Sequence, residues 1–518
     1  MSANAVGPKT TSFDVPKIVD STTLHNKVIA GYQGWFSTVC DDGLSVWKNW
    51  DKDVKSRNLN QDEISFNMWP YMNDFDADEL CDTGLVYQNI HGTNNATSKA
   101  GLFSTFSSKT VQRHVQWMHQ YGIDGVFVQR VVSKKMSPVQ IEDKKILHMA
   151  ASAEKFGRVF ATMFDISGYD LDDESLSTDI KSDWMHMVDN LNVTTSTDRY
   201  LKHNGKPLVA LRGFGFTKNV GGPSMTAELI NWFQHSAEEK YRATLLGSVP
   251  THWRSLANDS KTDDSWGNVY RSFDIVSPWS VGHYDTHGLE SFVENYLKPD
   301  ASECQKHNVE YMPVVYPGFS GNSNNPDKSL DQIGRMGGNF LWQQFYQIAN
   351  AGISSSMVYV AMFDGVNDGT AIFKIAENAS QVPATRNNVF KLTLDYEESW
   401  APCNDWYMLL VGYATSLLRY DLDNSSMKSF PRTMPDSLQS IIGEGNFDSA
   451  EIEASILSLL LVFGVVSISF IEIQTRKRFG SKVCREEKIN EENKASIPLL
   501  ESDDFCPQRL KLIESSLL

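Results

Sequence analysis

The sequence predicts an α/β fold, a (β/α)8 barrel of the TIM type, with a single membrane helix near the carboxyl end. Three observations predict the barrel. Eight short apolar runs, rich in β-branched and aromatic residues and lacking a helical period, recur between residues 28 and 363. Such runs read as strands buried on both faces. Most are preceded by a helical stretch, and strand–helix alternation implies a parallel sheet, which eight repeats suit better closed than open. Finally, no Gly-x-Gly-x-x-Gly follows any run, which argues against a dinucleotide-binding sheet.

In chain order, residues 1–26 are polar and lack the apolar core of a secretory signal. The barrel is expected over residues 27–425, and its first strand is 28–36, VIAGYQGWF. A long insertion, about 37–109, follows; it is rich in Trp, Asn and Asp, and a segment of that length normally carries function or small elements of its own. Helical stretches near 110–121, 137–156, 180–191 and 227–235 then precede strands at 125–130, 159–165, 207–212 and 243–248. The strand at 273–279 has weaker helical evidence before it, whereas 289–305 precedes 311–316 and 339–351 precedes 357–363.

The bulk properties narrow the partners. The chain has 518 residues, a net charge of −17 and 13 Trp. No basic stripe in the first 450 residues is large enough to track a phosphate backbone, so nucleic acid is not an expected partner. A neutral carbohydrate fits better, although most of the aromatic residues are expected in the core. Six cysteines (Cys40, Cys81, Cys304, Cys403, Cys484 and Cys506) form no CxxC pair and no metal-ligand spacing. A Cys40–Cys81 disulfide and free thiols both fit. Five N-x-S/T sequons begin at Asn95, Asn192, Asn258, Asn378 and Asn424, a number that chance alone gives in such a chain. No cofactor and no metal is expected.

In a barrel of this kind chemistry sits at the carboxyl ends of the strands. Those ends offer Tyr32 and Trp35, Gln129 and Arg130, Asp165, Arg212, Trp279, Tyr316, and finally Asp364 and Asp368 on the glycine-bearing turn DGVNDG. Acids, Arg and aromatics meeting at one face suit a sugar site. Taken singly, each has a plainer role: Asp165 as a helix cap, Trp35 and Trp279 as lids on the core, Arg212 as a counter-charge.

The motifs AGYQGWF (30–36), MFDISG (163–168), PLVALRGFGF (207–216), GSVPTHWR (247–254), SPWSVGHY (277–284), MPVVYPGFS (312–320) and FDGVNDGTAIFK (363–374) occur in that order. As a set they resemble barrel proteins related to glycoside hydrolase families 71 and 99, the group called xylosidase/arabinosidase-like. The resemblance covers residues 27–420 and implies a glycosidase with the sugar bound over the last strand. Family 99, which includes endo-α-mannosidases, carries two glutamates three residues apart in a motif like FNEWHEGT, and closer relatives carry FDEVDEGT. The matching positions here are Gly365 and Asp368. The resemblance therefore implies an acid/base role for Asp368, with Asp364 or Asp165 covering the carboxylate missing at Gly365. The strand-end residues Tyr32, Trp35, Arg212, Trp279 and Tyr316 are expected to line the sugar site. The competing reading is a pseudoenzyme that binds carbohydrate without cutting it.

Beyond the barrel, residues 426–453 read as a polar linker. Residues 454–473 read as a transmembrane helix, because 454–471 are 18 residues without a charge and span about 27 Å as a helix. A buried or amphipathic helix is the alternative. Acids precede the span and Arg476, Lys477 and Arg478 follow it, so the positive-inside rule puts the 474–518 tail in the cytoplasm and the barrel outside or in a lumen. A cytoplasmic barrel stays open as the second reading, since no export signal is visible at the amino end.

Overall fold

The structure, a computed structural model, describes residues 16–419 except for 42–44, 54, 88–97, 133–138, 170–172, 322–329, 352, 354–356, 387–388 and 391–402. The chain divides into units 1–434 and 435–518; the second, with the expected membrane span 454–473, lies outside the described residues. Among the described residues no helix is long and apolar enough to cross a membrane.

The strands are β1 (Lys27–Tyr32), a hairpin of β2 (Leu80–Val86) and β3 (Lys99–Phe103), β4 (Gly125–Val131), β5 (Val159–Asp165), β6 (Lys202–His203), β7 (Lys206–Arg212), β8 (Thr244–Ser248), β9 (Ile275–Val276), β10 (Glu310–Tyr311), β11 (Val314–Val315) and β12 (Met357–Val360). The helices are α1 (Ser108–Gln120), α2 (Val139–Phe156), α3 (Asp173–Asp189), α4 (Pro223–Asn231), α5 (Ser265–Tyr270), α6 (Leu289–Phe292), α7 (Lys298–Lys306), α8 (Asn339–Asn350) and α9 (Trp406–Arg419).

The main sheet runs β10-β9-β8-β7-β5-β4-β1-β12-β11, every neighbour parallel, and β6 pairs antiparallel with the start of β7. β10 and β11 are two ends of one short segment around Pro313, which has no N–H for a ladder. The first end pairs with β9 and the second with β12, so the sheet curls until both its edges rest on that segment. Every residue of β1, β5, β8 and β12 is buried. That is why these strands read as continuous apolar runs rather than alternating ones.

Helices pack outside the sheet. In α1 the buried residues Val111, His114, Val115 and Met118 recur at three- and four-residue spacing and form one inward stripe. The weak helical signal before β9 corresponds to α5, only six residues long. The stretch expected as one helix over 289–305 is α6 and α7 joined by a π-helical turn, Val293–Leu297.

The insertion after β1 carries elements of its own, as its length requires. A Cys40–Cys81 disulfide ties its start to the β2–β3 hairpin. Trp50 packs on Phe36, Phe66 and Phe103 with ring centroids 4.3, 4.9 and 5.3 Å away, and its Nε1 donates to the Phe103 carbonyl at 3.2 Å. The tryptophans Trp47, Trp50 and Trp69 of this segment are thus core side chains, each fully buried.

Candidate functional site

Pairing register decides which strand-end residues share a face. Asp165 lies opposite Arg212 and Arg212 opposite Ser248, so these three project together from β5, β7 and β8. Val131 is opposite Asp165, so Gln129, two residues back, joins the same face. Gln129 Nε2 donates to Asp165 Oδ2, the Ser167 N–H donates to Oδ1 at 2.8 Å, and Arg212 Nε lies 3.5 Å from Oδ2. The Arg212 guanidinium covers the Trp279 ring at 3.5 Å from its centroid, a cation–π stack in a partly dehydrated place.

Beneath them Tyr359 of β12 points into the barrel, its ring 5.6 Å from Phe127 and 6.1 Å from Trp279. Its hydroxyl feels the charges of Arg212, Asp165, Asp364 and Asp368, and burial raises its pKa. Gly31 makes room for it: a β-carbon there would sit 2.2 Å from the Tyr359 hydroxyl.

The turn after β12 holds its two acids in different ways. Asp364 is fully buried and accepts the N–H groups of Gln33 and Gly34, each at 2.8 Å, one on each oxygen. Gly34 has φ +56°, a left-handed conformation that turns its N–H toward this acid and suits glycine. Burial raises Asp364 to about 6 against those two hydrogen bonds. Asp364 therefore ties the last strand to the loop after the first through backbone N–H groups on both of its oxygens.

Asp368 accepts from the Thr370 hydroxyl at 2.5 Å and the Thr370 N–H at 3.2 Å. Burial raises its pKa, while the Thr370 hydrogen bonds and then the Arg212 charge oppose the shift. At Gly365 an added β-carbon would lie 2.1 Å from Thr370 Oγ1 and 2.7 Å from Asp368 Oδ1. The space at the position of the missing family glutamate is filled by the Asp368–Thr370 pair.

Two of the expected sugar-binding residues require correction, because both lie in the layer between sheet and helices. Tyr32 follows the inward Gly31 and so faces outward; it is fully buried with its hydroxyl 3.0 Å from His114 Nδ1 on α1. Tyr316 lies one residue past the end of β11, where strand alternation no longer holds. Its hydroxyl donates to the Tyr284 carbonyl at 2.5 Å, and its ring packs on Tyr284 and on Phe340 of α8. Arg130 also faces outward, bound to Asp183 on α3 and Asp143 on α2. Trp35, half-buried, stays at the mouth, its Nε1 buried and without a partner among the described residues.

Sequence reasoning missed Gln33, Ser248, Asn367 and Tyr359. The available signal was their position at or near a strand end. Several polar atoms from this ring are buried without a hydrogen-bond partner among the described residues: Gln33 Oε1, Trp35 Nε1, Gln129 Oε1, Arg212 Nη1, Ser248 Oγ and Asn367 Oδ1. Among the described residues two other groups have metal-ligand chemistry, His25–His203–Glu310 at the amino end of the barrel and His252–Asp259–His283 on the loops after β8 and β9.

No family model and no curated protein matches this chain. Solved structures do. The GH99 endo-α-mannosidase from Bacteroides thetaiotaomicron matches with a TM-score of 0.54 at 14% identity, over 77% of this chain and 100% of that one. The same enzyme in complex with bis-tris propane matches with a TM-score of 0.52, again at 14% identity, over 77% and 99%. The chain thus has an α/β fold similar to that of a glycoside hydrolase barrel.

Proposed function

We propose that this protein hydrolyses a glycosidic bond in an oligo- or polysaccharide at the mouth formed by β5, β7, β8 and β12. The observation that carries the proposal is a set of polar atoms at the strand ends, buried and without a hydrogen-bond partner among the described residues, on the same end of the barrel as the Arg212–Trp279 stack. Buried polar groups without partners are costly, and donors and acceptors on a neutral polyol would satisfy this mixed set. The fold supports the same reading. A xylosidase- or arabinosidase-like specificity is the finer form of the proposal.

Glycoside hydrolysis uses two carboxyl groups, one donating a proton to the leaving oxygen and one acting as base or nucleophile. Asp368, whose pKa burial raises, is the proton donor. Asp165, beside Arg212 and Gln129, is the second carboxylate. Asp364 holds the loop after β1 in place and touches no substrate.

A second reading has its own observation. The space that a carboxylate at residue 365 would need is occupied by Asp368 and Thr370, which favours a carbohydrate-binding protein without turnover. The full chain, assayed on α- and β-linked pentose, mannose and glucose oligosaccharides beside Asp368→Asn and Asp165→Asn, separates the two. Turnover that falls by about 10²–10⁴ in either variant supports catalysis. Sugar binding without turnover selects the second reading, and turnover untouched by both substitutions overturns the site.

A further inference from the structure

We propose that His252, Asp259 and His283 form a binding site for one divalent cation of the zinc class, on the rim of the mouth. Their ligating atoms all lie within 4.8 Å of one another. His252 and Asp259 are on the loop after β8 and His283 on the loop after β9, so the site joins two neighbouring loops at the carboxyl end of the barrel. Two imidazoles and one carboxylate suit a borderline-soft ion such as Zn2+ over Mg2+ or Ca2+, and three protein ligands leave a position for water.

The surrounding hydrogen bonds are those a metal site needs. His252 Nδ1 is 2.6 Å from Asp259 Oδ1, and Tyr296 places its hydroxyl 3.2 Å from His252 Nε2. When a cation takes the Nδ1 lone pair, the neutral ring carries its proton on Nε2 and donates it to the Tyr296 oxygen. The Asp259 carboxylate is oriented by the N–H of Thr251 at 2.8 Å and that of His252 at 3.1 Å. His283 Nε2 stands 3.6 Å from Asp259 Oδ2, and neither nitrogen of its ring has a hydrogen-bond partner among the described residues. First ligands held by second partners in this way are the usual construction of a metal site.

The other cluster is a useful contrast. His203 Nδ1 accepts from the Leu24 N–H at 3.1 Å, so its proton is on Nε2 and goes to Glu310 at 2.7 Å. No lone pair remains on that ring for a cation. It is a closed hydrogen-bonded bridge.

The two loops of the proposed site are already joined lower down, where the Trp279 N–H donates to the Val249 carbonyl at 2.8 Å and Thr251 Oγ1 to the Trp279 carbonyl at 2.6 Å. A cation at His252–Asp259–His283 fastens the same loops at their outer end and steadies Trp279. The test is calorimetric titration of ZnCl2 into the full chain after chelator treatment and dialysis. One Zn2+ per chain is expected, bound at least tenfold more weakly by His283→Ala and by Asp259→Asn. Tyr296→Phe keeps the stoichiometry and weakens binding about 10- to 100-fold, whereas His25→Ala changes nothing. His283 is exposed enough for its replacement to leave the fold intact. Absence of stoichiometric Zn2+ binding, binding indifferent to His283→Ala, or binding lost only in His25→Ala would overturn the proposal.

Discussion

At the amino end of the barrel Asp124 accepts the Val28 N–H at 3.0 Å and an Arg419 N–H, while Arg158 donates to the carbonyls of Lys17 and Ile123 at 3.0 and 3.3 Å. At the carboxyl end Arg212 has one carboxylate at 3.5 Å, and its Nη1, like polar atoms of Gln33, Gln129, Ser248 and Asn367, is buried without a partner among the described residues. Both regions bury charge. The first closes most of its charge on itself and on backbone carbonyls, and so serves stability. The second leaves polar atoms without a partner among the described residues, which a bound sugar would satisfy under the proposed function. In a barrel that division follows from placing structure at one face and chemistry at the other.

Breaking the closed end has the largest expected effect on stability. Asp124→Ala takes the carboxylate from the partly buried Arg419 and the nearby negative charge from the buried Arg158, and removing one partner of a buried pair costs about 3–5 kcal/mol. Urea unfolding should show that loss, with sugar affinity of the folded fraction unchanged. An unchanged midpoint would mean that this end is not the stabilising one.

Asp364 sharpens the comparison, since it is a closed group at the open end. Its folded pKa of about 6 lies above its ordinary 3.8, so the folded state holds a proton that the unfolded chain releases between those values. The contribution of this group is complete below about pH 4 and is lost as pH rises through 6, a fall of up to about 3 kcal/mol. Asp364→Asn should flatten that part of the stability–pH curve. A slope identical to that of the native protein would argue against a buried, titrating Asp364.

Gly365 tests whether the mouth has room for a second carboxylate on the last turn. Gly365→Ala forces its β-carbon against Thr370 Oγ1 and Asp368 Oδ1, an overpacking cost of about 1–3 kcal/mol. Adding Thr370→Ala should relieve part of it, giving a coupling of at least about 0.5 kcal/mol in a double-mutant cycle. Additive effects would show that the two positions do not compete for space.

The eight strands were legible because each is an apolar run of the right length, and the candidate site was read from the strand ends. What the runs do not carry is direction. A strand buried on both faces has no hydrophobic alternation, so nothing in AGYQGWF separates the inward Gly31 from the outward Tyr32. Arg130 and Arg212 likewise look equivalent in sequence, yet Arg130 faces α2 and α3 while Arg212 meets Asp165. Tyr316 was lost to the same ambiguity, made worse by a strand that stops one residue earlier. Asp165, Arg212 and Trp279 do meet, since each ends a strand or follows it by a short turn on the inward side.

The smallest expected effects lie on one strand, β8, which spans both regions within five residues. Thr244 at its start donates to the His203 carbonyl at 2.6 Å, and Ser248 at its end has a buried hydroxyl with no partner among the described residues. Thr244→Val removes a made hydrogen bond and leaves a buried carbonyl short of a donor, a loss of about 1 kcal/mol with no change in ligand affinity. Ser248→Ala removes a buried hydroxyl that no described residue satisfies. The unliganded protein should then be as stable as before, or more so by up to about 1 kcal/mol, while sugar affinity falls about two- to tenfold. Thermal unfolding with and without oligosaccharide reads both effects in one experiment. If Ser248→Ala destabilised the free protein as Thr244→Val does and left sugar binding intact, the open valences at the mouth would not belong to a ligand.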